Sequence, residues 1–144
     1  MYSADNNSNE DSVNVADEPM ASVDELTRQG DFDTLIASLN EQLQSTQSVS
    51  EKNEIVGQLV AAYLNNSQNE EALLLLDKHF EQYEEEIDIG LIRTYAETLD
   101  SEGRYADAIE YYQKFKEGFD VSDPMYDEFI KDTDNRIAEL KELL

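Results

Sequence analysis

The sequence predicts an all-α protein of stacked antiparallel helix pairs, about three hairpins followed by a C-terminal capping helix. Three observations support this fold class. Apolar residues recur at helical spacing through most of the chain. Helix-start signals stand between the apolar segments. A sequence pattern also repeats at offsets of 36 and 37 residues, and helix pairs that recur at a fixed period stack into an α-solenoid.

The first part of the chain differs in composition from the rest. Residues 1–20 hold several acidic residues and no basic residue, and their few apolar residues follow no period, a composition typical of a disordered leader. This leader has neither the basic start nor the apolar run of a secretory signal. The sequence does not specify the cellular compartment. The protein is either cytoplasmic or, if a signal was removed, exported or lipid-tethered. We expect the helical domain at residues 21–144.

Helix starts are marked by short polar motifs. Ser22 and Glu25 have the spacing of a capping box, in which a hydroxyl and a carboxylate satisfy the first free backbone amides of a helix. The same spacing recurs at residues 48–51 and 67–70. Near the C-terminus, Asp123-Pro124 is typical of a cap followed by proline in the first turn. Several separate helices are therefore predicted.

Apolar stripes between these starts give the helix boundaries. No period-2 alternation long enough for a strand is present, and the connections are short and rich in Asn, Ser, Gly and Asp. The predicted helices span residues 22–29, 31–45, 50–65, 69–86, 88–102, 105–118 and 124–144. Seven helices make three antiparallel pairs and one further helix at the end.

The repeat aligns Gly30, Ser67 and Gly103 at the turn between the helices of each pair. Its third unit resembles the tetratricopeptide repeat. The positions that carry the resemblance are Tyr95, Ala96, Leu99, Gly103, Tyr105, Ala108, Ile109 and Tyr112. A glycine permits the tight turn, a small residue lets the two helices approach closely, and aromatic residues fill the space around them. The first and second units match fewer positions.

The resemblance implies a function in protein binding. Tetratricopeptide-like arrays bind an extended peptide or a partner helix on the concave surface formed by the first helix of each pair. The residues that this surface would carry here are Gln58, Ala61, Asn65, Arg93, Glu97 and Asp100. We therefore expect a non-catalytic adapter or scaffold whose partner is a protein or a peptide.

Residues with catalytic or metal-binding chemistry are scarce. The chain has no cysteine, and its five glycines are scattered singly rather than gathered in a phosphate-binding loop. His79 is the single histidine, and a lone histidine beside apolar residues is far more often a core residue than a metal ligand. We expect no enzymatic activity, no cofactor and no metal.

The net charge indicates which partners the chain would avoid. The formal charge is −24 at pH 7, from 34 acidic and 10 basic residues, so nucleic acid and anionic membranes would be repelled. No apolar stretch is long enough to span a bilayer. An alternative function is charge-driven binding or sequestration of a basic partner. The apolar side of the last helix is also a candidate surface for a homodimer.

Overall fold

The fold is all-α, as predicted. The computed structural model describes residues 22–144, and the predicted leader at residues 1–20 lies outside these described residues. Within residues 22–144 there are seven α-helices and no strand. They are α1 (Val23–Gln29), α2 (Phe32–Ser45), α3 (Val49–Asn65), α4 (Asn69–Tyr83), α5 (Ile89–Ser101), α6 (Tyr105–Gly118) and α7 (Tyr126–Leu143). Helices that are neighbours in the chain pack against each other, and α3 also contacts α5.

Two of the predicted serine caps are confirmed. Ser22 Oγ accepts a hydrogen bond of 3.1 Å from the backbone N–H of Glu25 at the start of α1. Ser48 Oγ accepts one of 3.3 Å from the N–H of Glu51 at the start of α3. Asp88 caps α5 in the same way. These bonds satisfy backbone donors that have no partner inside the helix, which fixes where each helix begins.

The third predicted capping box, at residues 67–70, is wrong. Helix α4 begins at Asn69, and the N-cap residue is Gln68, whose side chain makes no capping hydrogen bond. Ser67 instead has a φ of 59°. A residue in this left-handed conformation belongs to the turn before the helix rather than to the cap, so the serine–glutamate spacing has no structural role here.

The same turn recurs three times. Its central residue has positive φ, namely 74° at Gly30, 59° at Ser67 and 81° at Gly103. In each turn, the residue that follows the central one donates a hydrogen bond from its backbone N–H. The acceptor is the backbone carbonyl five positions earlier in the chain. These bonds are Asp31 to Leu26, Gln68 to Tyr63 and Arg104 to Leu99, at 3.0, 2.8 and 2.9 Å. This 6→1 hydrogen bond is the signature of a Schellman turn.

The start of α7 and the end of α4 differ from the prediction. Helix α7 begins at Tyr126, not at Pro124. Asp123 Oδ1 accepts a 2.8 Å hydrogen bond from the N–H of Met125, so it stabilises the turn that precedes the helix rather than the helix itself. Helix α4 ends at Tyr83 and is followed by a 3₁₀ turn at Glu84–Glu86, where a continuous helix was predicted.

The buried apolar residues form two clusters. The larger one joins α3 to α7, and its members are Val56, Val60, Ala72, Leu73, Leu76, Phe80, Leu91, Tyr95, Ala96, Leu99, Ala108, Ile109, Tyr112, Ile137 and Leu140. The smaller one joins α1, α2 and α3, and its members are Leu26, Leu35, Leu39, Ile55, Leu59 and Ala62. Helix α3 supplies residues to both clusters, so it is apolar on two sides and lies between them.

Candidate functional site

The predicted partner-binding residues lie on two helices that touch. Helix α3 carries Gln58, Ala61 and Asn65, and helix α5 carries Arg93, Glu97 and Asp100. These two helices are in contact with each other. Four of the six residues are exposed, Gln58 is partly buried, and the side chain of Asp100 is mostly buried. Within residues 22–144, no hydrogen bond or ion pair joins the three residues on α3 to the three on α5.

Asp100 is occupied by contacts inside the molecule. Arg136 on α7 donates from Nε to Oδ2 and from Nη2 to Oδ1, at 2.7 Å each. The hydroxyl of Tyr112 donates to Oδ2 at 2.9 Å. The Arg136 guanidinium is the main reason that the pKa of Asp100 lies below its ordinary value, and the Tyr112 hydrogen bond acts in the same direction. Asp100 therefore joins α5 to α6 and α7.

Arg93 also contacts α7. Its guanidinium lies over the rings of Phe115 and Phe129, at 5.8 and 5.2 Å from their centroids, within the range of cation–π attraction. Its Nε also lies 3.2 Å from an oxygen of Glu97 one helical turn later. Such an exposed pair contributes only about 0.3–0.5 kcal/mol. Two of the predicted residues on α5 thus contact the last helix of the chain.

The open part of the predicted surface is centred on α3. Ala61 and Asn65 are exposed, and the side-chain amide of Asn65 donates to the carbonyl of Ala61 at 2.8 Å. Gln58 lines a surface cavity of about 300 Å³ together with residues of α1 and α2. The part of the predicted surface that makes no contact with α7 therefore consists of these three residues on α3 and of Glu97, which is exposed on α5.

His79 is a buried residue with a defined proton position. The side chain is 5% exposed, and Nε2 lies 2.7 Å from Oδ1 of Asn53. Asn53 Nδ2 donates to the backbone carbonyl of Glu86 at 2.8 Å, so Oδ1 must accept and His79 Nε2 must carry the proton. Burial lowers the pKa of His79, and the Lys52 ammonium lowers it further. The ring is therefore neutral at pH 7.

His79 also lines a surface cavity of about 280 Å³ between α2, α3 and α4. One part of the wall is apolar, from Leu43, Val56 and Leu75. The other part is polar, from Gln44, Lys52, Lys78, His79, Gln82 and Tyr83. A cavity with an apolar part and a few convergent polar groups has the chemistry of a small-molecule site.

The two lysines of this cavity have no acidic partner in the described part of the chain. Lys52 Nζ donates to the hydroxyl of Tyr83 at 2.8 Å and lies 5.1 Å from its ring centroid. Within residues 22–144, neither Lys52 nor Lys78 has a carboxylate oxygen within 4.0 Å, whereas Arg93, Arg104 and Arg136 are paired with acids. In a chain of charge −24, these lysines make the cavity locally basic.

Sequence reasoning missed this cavity. Lys52 and Lys78 lie 26 residues apart in the sequence. Taken singly, each lysine is typical of the solvent-exposed side of a helix. The pattern of the lone histidine indicated a core position, and its burial agrees with that interpretation. No local spacing signals that three helices bring these side chains together, so the sequence contained no usable signal for the site.

Comparison of the chain with known protein families and with curated proteins gives no match. Among residues 22–144 no group of three or more potential metal-ligating side chains is found. Over the same residues, no helix has both the length and the apolar character required to cross a membrane.

Proposed function

We propose that this chain is a non-catalytic protein-interaction module of tetratricopeptide-like stacked hairpins, which binds a peptide or a partner helix. The recurring turn is the observation that carries this proposal. The left-handed residues Gly30, Ser67 and Gly103 lie at the three positions that the sequence repeat aligns. Identical turns at nearly equal spacing favour helix pairs that stack in the same way, as in α-solenoids.

Equivalent positions after each turn support the same architecture. The residues five positions beyond the three turns are Leu35, Ala72 and Ala108, and all three are buried. Four residues further on lie Leu39, Leu76 and Tyr112, which are also buried. Each unit therefore buries the same face of its second helix, which supports the same packing in each pair.

The binding surface in this proposal is the exposed part of α3 with Glu97 of α5. Ala61 is the best position for a test, because it is exposed and its side chain is too small to stabilise the fold by itself. An arginine there would fill the surface and repel a basic partner. The matched control is the same substitution at Ala138, which is exposed on α7.

The experiment captures partners from a lysate of the native cell and then measures their affinity by calorimetry. Wild type, Ala61→Arg and Ala138→Arg are compared at about 0.15 M and about 1 M salt, where the Debye length falls from about 8 to about 3 Å. The proposal expects a discrete partner that persists at high salt and is lost only with Ala61→Arg. A partner retained equally by both variants would contradict this surface.

Charge-driven binding of a basic partner is the second candidate function. It is favoured by the net charge of −24, which attracts cationic proteins over a long range. The same capture experiment separates the two functions. Sequestration predicts that only basic proteins appear, that high salt removes them, and that both arginine variants weaken binding to the same extent.

Self-association through α7 is the remaining partner hypothesis. Ile137 and Leu140 of α7 are buried inside the chain. Leu143 and Leu144 are 57% and 73% exposed, so they are the apolar residues of this end that a second copy could cover. Sedimentation equilibrium of wild type and of a Leu143→Ser, Leu144→Ser variant tests it. A dimer that survives this change would exclude these leucines as the contact.

A further inference from the structure

We infer that the cavity between α2, α3 and α4 binds a small amphipathic carboxylate, with the carboxylate held by Lys52, Lys78 and Tyr83 and the apolar part held against Leu43 and Leu75. This ligand site is separate from the partner surface proposed above, because the two share no residue. The inference rests on the cavity's charge, its donors, its apolar wall and its buried histidine.

The charge of the cavity is the first argument. Lys52 and Lys78 lie at one cavity with no carboxylate within 4.0 Å in the described chain, although acidic residues outnumber basic ones by 34 to 10. The lining contains these two cations and no acidic residue, so an anion placed in the cavity is attracted by both lysines. A negatively charged ligand is thus favoured here despite the overall charge of the molecule.

The available donors are the second argument. The Tyr83 oxygen already accepts a hydrogen bond from Lys52, so its own O–H remains to donate to a ligand. Lys52 and Lys78 have further N–H donors, since an ammonium group carries three. Hydrogen bonds from charged donors to a carboxylate are stronger than neutral ones. The polar wall is therefore rich in donors, which suits an anionic acceptor.

The buried imidazole is the third argument. His79 is 5% exposed and lines the cavity. Its Nε2 bonds to Asn53, and Nδ1 has no hydrogen-bond partner among residues 22–144. A buried polar atom without a partner costs free energy. Nδ1 of this tautomer is an acceptor, as is an ionised carboxylate, so the two are joined through an ordered water that donates one hydrogen to each.

The size and the apolar wall define the ligand further. A cavity of about 280 Å³ is at the lower end of the range for small-molecule sites. Leu43 and Leu75, which are only partly buried, provide the apolar wall, and the fully buried Val56 lies behind it. A free monocarboxylate with a short aliphatic chain satisfies both walls, whereas a purely polar anion would leave the apolar wall uncovered.

The test is a titration of the full chain with octanoate. Binding is monitored by the NMR chemical shifts of the backbone amides. The control ligand is 1-octanol, which has the same eight-carbon aliphatic chain but no charge. The inference expects octanoate to shift amides around Lys52, His79 and Tyr83 and to bind at least about tenfold more tightly than 1-octanol, as expected for a charged hydrogen bond. Equal binding of the two ligands would overturn it.

Two lysine variants and one gain-of-charge variant locate the site. Lys78→Gln and Lys52→Gln should each weaken octanoate binding about tenfold. Lys131→Gln on α7 makes the same change in net charge and should leave binding unchanged. Gln44→Lys adds a cation at the rim of the cavity and should tighten binding, whereas Asn135→Lys on α7 should not. Equal effects of the cavity variants and of their controls would overturn the inference.

A second set of titrations, with peptides, shows whether the bound carboxylate belongs to a small molecule or to a peptide C-terminus. Short apolar peptides are compared with a free and with an amidated C-terminus. If the free-acid peptide binds at this cavity and octanoate does not, the site belongs to a protein partner and the small-molecule inference is wrong. Because these titrations use purified components, their failure leaves the capture result at Ala61 unaffected.

Discussion

Asp100 on α5 and Arg136 on α7 form a two-point contact, with both guanidinium–carboxylate hydrogen bonds at 2.7 Å. The Asp100 side chain is only 11% exposed, although that of Arg136 is 41% exposed. A bidentate contact at a nearly buried carboxylate has a fixed geometry that most surface pairs lack. This contact, together with the packing of Ile137 and Leu140, holds the last helix against the rest of the domain.

Arg136→Gln should therefore destabilise the domain by about 1–2 kcal/mol, because it leaves a nearly buried carboxylate without its cation. The exposed side of Arg136 limits the loss. Urea unfolding measures the free energy of unfolding. Lys131→Gln, also on α7 and with the same change in charge, should alter it by less than about 0.5 kcal/mol. Equal losses for the two variants would contradict a specific role for the pair.

Acidification should destabilise the fold through His79. Its pKa in the folded state lies below the value of 6.5 for the unfolded chain, mainly because of burial and further because of Lys52, with Asp88 opposing them. The unfolded chain therefore binds the proton more readily. The stabilisation is fully present above about pH 6.5 and is lost progressively as the pH falls below it.

His79→Gln isolates this effect, since a glutamine amide can still donate to Asn53 and does not titrate. Urea unfolding of both proteins between about pH 7.5 and about pH 5 gives the comparison. We expect wild type to lose stability relative to the variant as the pH falls, because titration of the carboxylates is common to both. A constant difference across this range would show that His79 is not the titrating group.

Ser67→Gly should stabilise the chain by about 0.5–1 kcal/mol. Ser67 has a φ of 59° at the position where the other two turns have glycine, and a residue with a Cβ is strained in this conformation. Thermal and urea unfolding measure the gain. Ser38→Gly in the middle of α2 is the control, and it should cost about 0.5 kcal/mol. A loss of stability at both positions would contradict the assigned turn.

Ala108→Leu should destabilise the domain by about 1–3 kcal/mol, because Ala108 is fully buried in the larger apolar cluster and a close-packed interior resists a larger side chain. Ala106→Leu places the same change on the exposed side of α6 and should be nearly neutral. Calorimetric melting distinguishes them. Equal melting temperatures for the two variants would mean that the helices do not approach closely at Ala108.

The helices were predictable because their signals are local. Ser22 and Ser48 cap helices as their spacing indicates, and the apolar stripes identify all seven helices. Ser67 and Pro124 misled the prediction for a common reason. A cap motif and a turn contain the same residue types, and only the backbone conformation decides between them.

The candidate sites were less predictable because they depend on how helices pack. The period placed Arg93 and Asp100 on the first helix of a pair, but no local pattern shows that Phe129 and Arg136 reach them. The cavity lined by Lys52 and His79 arises in the same way from residues of three helices. Such contacts depend on helix orientation, which apolar spacing alone does not specify.

The unequal size of the two apolar clusters has a consequence for how the molecule opens. The cluster around α1 and α2 contains six buried residues, and the cluster from α3 to α7 contains fifteen. Amide hydrogen exchange should therefore be polarised, with α1 and α2 exchanging through partial opening while the C-terminal helices exchange only through global unfolding. A protease that requires an opened chain would accordingly cut the N-terminal end first, and the fragment from α3 onwards would persist longest.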